Sequence, residues 1–208
     1  VANIPVVFVG TGRYLGAGDL ADATVQSIYA IKDSGGNTSM GNPRSDLTAT
    51  GFVQQTLTTA TCGASAYCTT GQTIRTGSTN AVNFATQKGW FIDLPGTGER
   101  ANTDPQLALG TLAITTNVLD PLACSVCGSS FINFLDYRTG QAVSTANGMA
   151  SVYLDAALAT RTVQVKFADG SVRSIVRLSN NTTIAQPTPL PPNPTVTRRT
   201  SWRELTTD

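Results

Sequence analysis

Short β-prone runs, each closed by Gly, Asp, Asn or Pro, constrain this chain more than any other feature. They include Val6 to Val9, Gly89 to Leu94, Leu107 to Val118, Phe131 to Leu135, Ala150 to Leu154, Thr162 to Phe167 and Val172 to Leu178. All are rich in Val, Ile, Phe, Thr and Tyr, which suit a pleated, half-buried surface. Thr162-Val163-Gln164-Val165-Lys166-Phe167 alternates polar and apolar in strict period two, and Val172 to Val176 follows after Asp169-Gly170. The pair predicts a hairpin with a type I′ turn, because Asp-Gly readily takes the positive φ angles that turn requires.

Three strand-like runs end in Asp with Gly close behind. They are Ser27 to Asp33, Gly89 to Asp93, and Phe131 to Asp136, the last followed by Tyr137-Arg138-Thr139-Gly140. Asp accepts hydrogen bonds from turn amides, and Gly supplies a backbone conformation that other residues avoid. The intervals between the acids are 60 and 43 residues, the second of them within the roughly 40–50 residues of a β-propeller blade, which has four strands. The expected fold class is therefore all-β, a partial propeller of about three or four blades.

Charged residues make up only 13% of the chain, so Thr, Ser, Asn, Gln and Gly must supply most of the polar surface. The net charge is +1 and no run of like charge stands out, so neither nucleic-acid binding nor an anionic membrane surface is expected. No apolar stretch reaches the roughly 18 residues that span a bilayer, so membrane insertion is not expected either. The start, Val1-Ala2-Asn3-Ile4-Pro5, reads as the interior of a longer protein, and the chain is expected to be a processed or excised piece.

Cys62 and Cys68 flank a short Gly/Ala/Ser loop, and Cys124 and Cys127 form a C-x-x-C. In an exported protein these read as two local disulfides, each clamping a surface loop. Four thiolates around one zinc are the rival, although the first pair is spaced too widely for a zinc knuckle. A redox role for Cys124 and Cys127 would want the pair to open a helix, and a strand is expected next.

Val6 to Val9 enters a glycine-rich loop, Gly10-Thr11-Gly12-Arg13-Tyr14-Leu15-Gly16, with Asp19 placed to cap a following helix. The loop is one residue too long for the dinucleotide fingerprint, and no second βαβ unit follows. The glycines are expected in a loop between strands. Histidine is absent, which removes the commonest general base. Asp19 and Asp22 form the nearest carboxylate pair, and local capping is the expected role. No catalytic, cofactor-binding or metal-binding residue is assigned. Trp90, Tyr14 and Trp202 could be carbohydrate-stacking platforms, but tryptophans in such a composition are more often core.

The C-terminal part changes character. Residues 1–185 form the partial propeller, 186–194 read as a stiff Pro-rich linker, and 195–208 resume a strand-like pattern containing Trp202. That last segment is expected to dock back on the propeller, where it could complete an unfinished blade.

Several segments resemble the C-terminal propeller domain of the PilC/PilY family, the type IV pilus tip-associated adhesins. They are Val9 to Leu15 with Asp19, Gln26 to Asp33, Gly89 to Pro95, Gly98-Glu99-Arg100 and Thr115 to Val118. Cys124 with Gly128-Ser129-Ser130, the strand to Asp136, and Thr200 to Leu205 complete the set. The resemblance implies a quinoprotein-like propeller exported to the cell surface at the pilus tip. It implies roles in pilus biogenesis, in opposing retraction and in attachment to host or abiotic surfaces, with minor pilins as partners. The family's calcium loop has a repeating acidic motif that this sequence lacks, so calcium is expected only in the parent protein and no cofactor in this segment. Cys127 stands where the family has Gly, so a Cys124–Cys127 bond would be particular to this chain. The remaining blades are expected from elsewhere, a separate chain being one source. A quinoprotein-like enzyme remnant and a carbohydrate-binding β-module are the alternatives.

Overall fold

The computed structural model describes residues 5–36, 39–120 and 128–192. Its strands, in chain order, are β1 (Val6–Gly10), β2 (Ser27–Lys32), β3 (Phe52–Gln55), β4 (Leu57–Thr61), β5 (Thr73–Gly77), β6 (Gly89–Asp93) and β7 (Glu99–Arg100). They continue with β8 (Gln106–Ala108), β9 (Thr111–Leu119), β10 (Gly128–Asp136), β11 (Met149–Asp155), β12 (Val163–Lys166), β13 (Val172–Arg177) and β14 (Thr183–Pro187). Two single-turn 3₁₀ helices, at Ala17–Asp19 and Ser144–Ala146, are the helical elements among the described residues.

The strands form three sheets. The first has the order β1-β2-β6-β3, and β3 runs parallel to β6. The second follows β4-β5-β11-β10-β9-β7, with β8 also on β9, and the third is β12-β13-β14. The middle sheet is covered on both faces, and β9 shows why. Leu112 and Ile114 join a cluster with Ile28, Trp90 and Ile92 of the first sheet, whereas Ala113 between them joins one with Val176 and Leu178 near the third. Side chains alternate across a strand, so a strand covered on both faces reads as a continuous apolar run. Every residue of β9 but Val118 is buried. Three sheets packed face to face in sequence are the arrangement of adjoining propeller blades.

The spacing of the acids does not mark separate blades. β2 and β6, which carry two of the three strand-ending acids, pair with each other in one sheet, with Ser27 opposite Asp93. The pairing is direct: Ser27 Oγ donates to Asp93 Oδ1 at 2.6 Å. A strand ending in an acid suits any strand that meets a turn, so the motif reports turns and not wedges.

Two hairpins also differ from expectation. At Asp169-Gly170 the loop has three residues, because Phe167 N still donates to Ser171 O at 2.8 Å. Gly170 alone takes a positive φ, of 85°, which fits a bulged three-residue turn. The two-residue turn with both φ angles positive lies at Leu109-Gly110, at 51° and 87°. It divides the expected run from Leu107 to Val118 into β8 and β9. Leucine is rarely found at positive φ, so nothing in the residue type announced it.

The Pro-rich stretch begins inside the fold. Gln186 and Pro187 belong to β14, paired with Ser174 and Arg173. Pro187 is tolerated there because β14 is an edge strand and needs no donor on its outer side. Beyond it, Thr111 Oγ1 donates to Pro189 O at 2.7 Å and Thr145 Oγ1 to Leu190 O at 2.8 Å. Residues 193–208 lie outside the described residues.

Candidate functional site

The glycine loop is filled by protein. A Cβ on Gly10 would stand 2.6 Å from Ala101 Cβ, and one on Gly12 2.7 Å from Arg100 Cβ. Gly12 also has a φ of 106°, which side chains avoid. The glycines let the loop cross β7 at close range, and β1 pairs antiparallel with β2. The expectation of a loop between strands holds, and the space a phosphate would need is occupied.

Asp19 organises that loop. Its carboxylate accepts from Arg13 Nε at 2.9 Å, Leu15 N at 2.8 Å and Gly16 N at 3.3 Å. These bonds, the Leu15 amide first, hold its pKa below the ordinary value. Asp22 is also depressed, chiefly by hydrogen bonds from Thr24. Both carboxylates are thus committed as anions to local donors. They cap the loop and neither is poised to exchange a proton near neutral pH. Asp19 caps a 3₁₀ turn, and the chain from Gln26 onward enters β2 instead of a helix.

Arg100 locks the loop from below. It is buried, and donates to Gly98 O at 3.1 Å, Arg13 O at 2.8 Å and Asp22 O at 2.6 Å. Its neighbour Glu99 turns to the other side and meets Arg75 in a bidentate pair at 2.7 and 2.8 Å. Thr116 Oγ1 and Gly96 N also donate to Glu99, at 2.6 and 2.9 Å. Asn133 reaches Thr116, and Ser151 Oγ donates to Asn133 Oδ1. The Arg75 guanidinium lies 3.5 Å from the Phe131 ring centroid. This network sits on the face of the middle sheet turned to the first sheet. The motif Gly98-Glu99-Arg100 was legible in the sequence, but Arg75, Thr116, Asn133 and Ser151 were not. They come from four different strands, and nothing local marks them.

The geometry of loop 11–19 has one outward consequence. The pinned backbone presents Tyr14 and Leu15 to solvent, and Leu15 is 87% exposed. Val7 and Val9 of β1 and Val25 before β2 are exposed as well. Tyr14 and Leu15 thus stand exposed on a loop tied down by hydrogen bonds at Asp19 and Arg100.

Cys62 and Cys68 are joined in a disulfide across the β4–β5 connection. These two sulfurs are therefore unavailable to a four-thiolate zinc site. The looped residues reach the third sheet: Gln186 Nε2 donates to Tyr67 O at 2.6 Å. Cys124 and Cys127 lie outside the described residues. Trp90 is fully buried, its Nε1 donating to Tyr137 O at 3.2 Å, so it is core and no stacking platform. Tyr14 is exposed, and Trp202 lies outside the described residues. No helix among the described residues is long and apolar enough to cross a membrane.

No protein-family model matches the chain, and no curated protein sequence matches it. The fold does match a solved structure. It is similar to the crystal structure of the Pseudomonas aeruginosa PilY1 C-terminal domain, with a TM-score of 0.59 over 88% of this chain at 21% identity. The shared fold is all-β and propeller-like. This chain spans 42% of that domain's chain, so it corresponds to a partial propeller.

Proposed function

We propose that this chain is a non-catalytic structural and adhesive module of a type IV pilus tip protein. The observation that carries the reading is the fold shared with the PilY1 C-terminal domain across 88% of the chain. The segments that resemble the PilC/PilY family are in keeping with this reading. Within this reading the module is exported and works at the cell surface. Its contacts serve pilus biogenesis, retraction control and attachment, with minor pilins as partners. The rest of the propeller comes from sequence beyond these residues or from another chain.

The rigid display of Tyr14 and Leu15 is the contact surface this reading favours, because Asp19 and Arg100 are spent on holding it in place. The test is co-purification of the chain with minor pilins. Retention of a pilin, weakened about tenfold or more by Leu15→Asp with no change in melting temperature, is the expected result. Failure to retain any pilus component overturns the proposal.

A further inference from the structure

The third sheet turns one face to the middle sheet and the other away from it. Burial alternates along β13: Val172, Ser174 and Val176 are buried, while Arg173, Ile175 and Arg177 are not. Val176 belongs to the cluster shared with the middle sheet, so the second set faces away. Cross-strand partners share a face. Val163 and Ala185 lie opposite Ile175 on its two sides, and Val165 lies opposite Arg173. An apolar row thus crosses all three strands on the outward face. Val163 is 51% exposed, Val165 38%, and Phe167, just past β12, 45%.

Cations flank the row. Arg173 Nη1 donates to Ala185 O at 3.3 Å, and Arg177 Nη2 donates to Asn181 Oδ1 at 3.1 Å. Neither guanidinium is in a salt bridge among the described residues. Residues 160–187 carry Arg161, Lys166, Arg173 and Arg177 against one acid, Asp169. Asp169 is spent on its own turn, where it accepts from Ser171 N at 2.9 Å and Ser171 Oγ at 2.7 Å. The whole chain has a net charge of only +1, so positive charge is concentrated on this sheet.

That chemistry selects an occupant. An apolar row across a sheet suits a second sheet stacked about 10 Å away. The first and third sheets already cover the middle one in this way. The two guanidiniums call for carboxylates on the covering surface. A second copy laid face to face would set these cations against their own kind. The chain spans 42% of the propeller-like domain chain that it matches, which leaves further sheets to stack on the ends of these three.

Resting on the partial-propeller reading, we propose that the outward face of the third sheet docks a further β-sheet of the parent propeller. That sheet has an apolar centre, which covers Val163, Val165 and Ile175, and carboxylates that meet Arg173 and Arg177. The surface is distinct from the Tyr14 and Leu15 loop and serves assembly of the propeller.

Side-chain labelling tests this. In this chain alone, Val163, Val165 and Phe167 should react freely with hydroxyl radicals, and Arg173 and Arg177 with phenylglyoxal. In the full-length protein all five should react about tenfold more slowly, as groups at the desolvated centre of an interface do. Arg173→Glu with Arg177→Glu should restore fast labelling of the three apolar residues in the full-length protein. The same pair should leave the melting temperature of this chain nearly unchanged, because both side chains are exposed. Equal labelling of the two proteins overturns the proposal. So does slow labelling in this chain alone, which would place a second copy or another part of the chain on the face. Protection in the full-length protein that survives the charge reversal also overturns it. Protection of this chain by phosphatidylglycerol vesicles does the same, by making the face a membrane surface. If the charge-reversed protein fails to fold, the comparison of the two unmodified proteins still decides. Loss of pilin co-purification would leave these labelling rates unchanged, so the two readings fail separately.

Discussion

The middle sheet packs its two faces with different chemistry. Toward the first sheet, Trp90, Ile28, Ile92, Leu112 and Ile114 pack with large side chains. The one strongly polar group there, the Arg75–Glu99 pair, is surrounded by Thr116, Gly96, Asn133 and Phe131. Toward the third sheet Ile132, Phe134, Met149 and Leu178 pack with four alanines, Ala113, Ala146, Ala157 and Ala159. A disulfide loop bridges the sheets there, and Gln164 and Thr162 stay unpaired among the described residues. Both interfaces are closed by apolar side chains; the one toward the first sheet adds a buried ion pair, and the one toward the third adds a disulfide loop.

The sharpest way to break the comparison is at the face toward the first sheet. Glu99→Ala leaves the Arg75 guanidinium buried without its partner and should lower the unfolding free energy by about 3–5 kcal/mol, read by urea denaturation. Replacing both partners, Arg75→Met with Glu99→Leu, should restore a large share of that loss, because the desolvation cost of both charges goes with them. If the double variant is as unstable as the single one, the network specifies the fold beyond its charge balance.

At the other face the expected effect is smaller. Cys62→Ala with Cys68→Ala frees the loop carrying Tyr67 and should cost about 2 kcal/mol, since a short closed loop gains less than a long one. Amide exchange should quicken in β14 before it does in β2. Equal loosening of both sheets would erase the distinction between the faces.

Acid has the most local effect. Asp19 has a depressed pKa in the folded chain, so its contribution is complete above the ordinary carboxylate value of 3.8. It fades as pH falls below that value through the depressed one. The Leu15 amide should therefore lose exchange protection only under acid conditions, and Asp19→Asn should lose it at neutral pH as well. Protection of Leu15 that is indifferent to both changes would mean that Asp19 does not hold the loop.

Much of the strand content was legible because Val, Ile, Phe and Tyr alternate or cluster in β1, β6, β9, β10 and β13. The strands that escaped notice are β3, β4, β5, β7 and β14. β4 reads Leu57-Thr58-Thr59-Ala60-Thr61, too polar to stand out, and is a strand because β5 offers it a ladder. β7 is two charged residues, Glu99 and Arg100, each buried because partners distant along the chain satisfy it. Propensity and periodicity describe a residue's neighbours along the chain, and these elements are made by neighbours across it.

By itself the sequence determined the all-β class, the propeller-like family resemblance and the loop role of Gly10 and Gly12. Each follows from covalent neighbours, from residue types whose backbone preference is strong, or from a short motif. Tertiary structure alone decided that β2 and β6 share one sheet, that Arg75 meets Glu99, and that Trp90 is core. It also decided that β12 is an edge strand among the described residues. Those outcomes depend on which strands lie side by side, and strand pairing is set by burial summed over the whole fold, which no single stretch of chain contains.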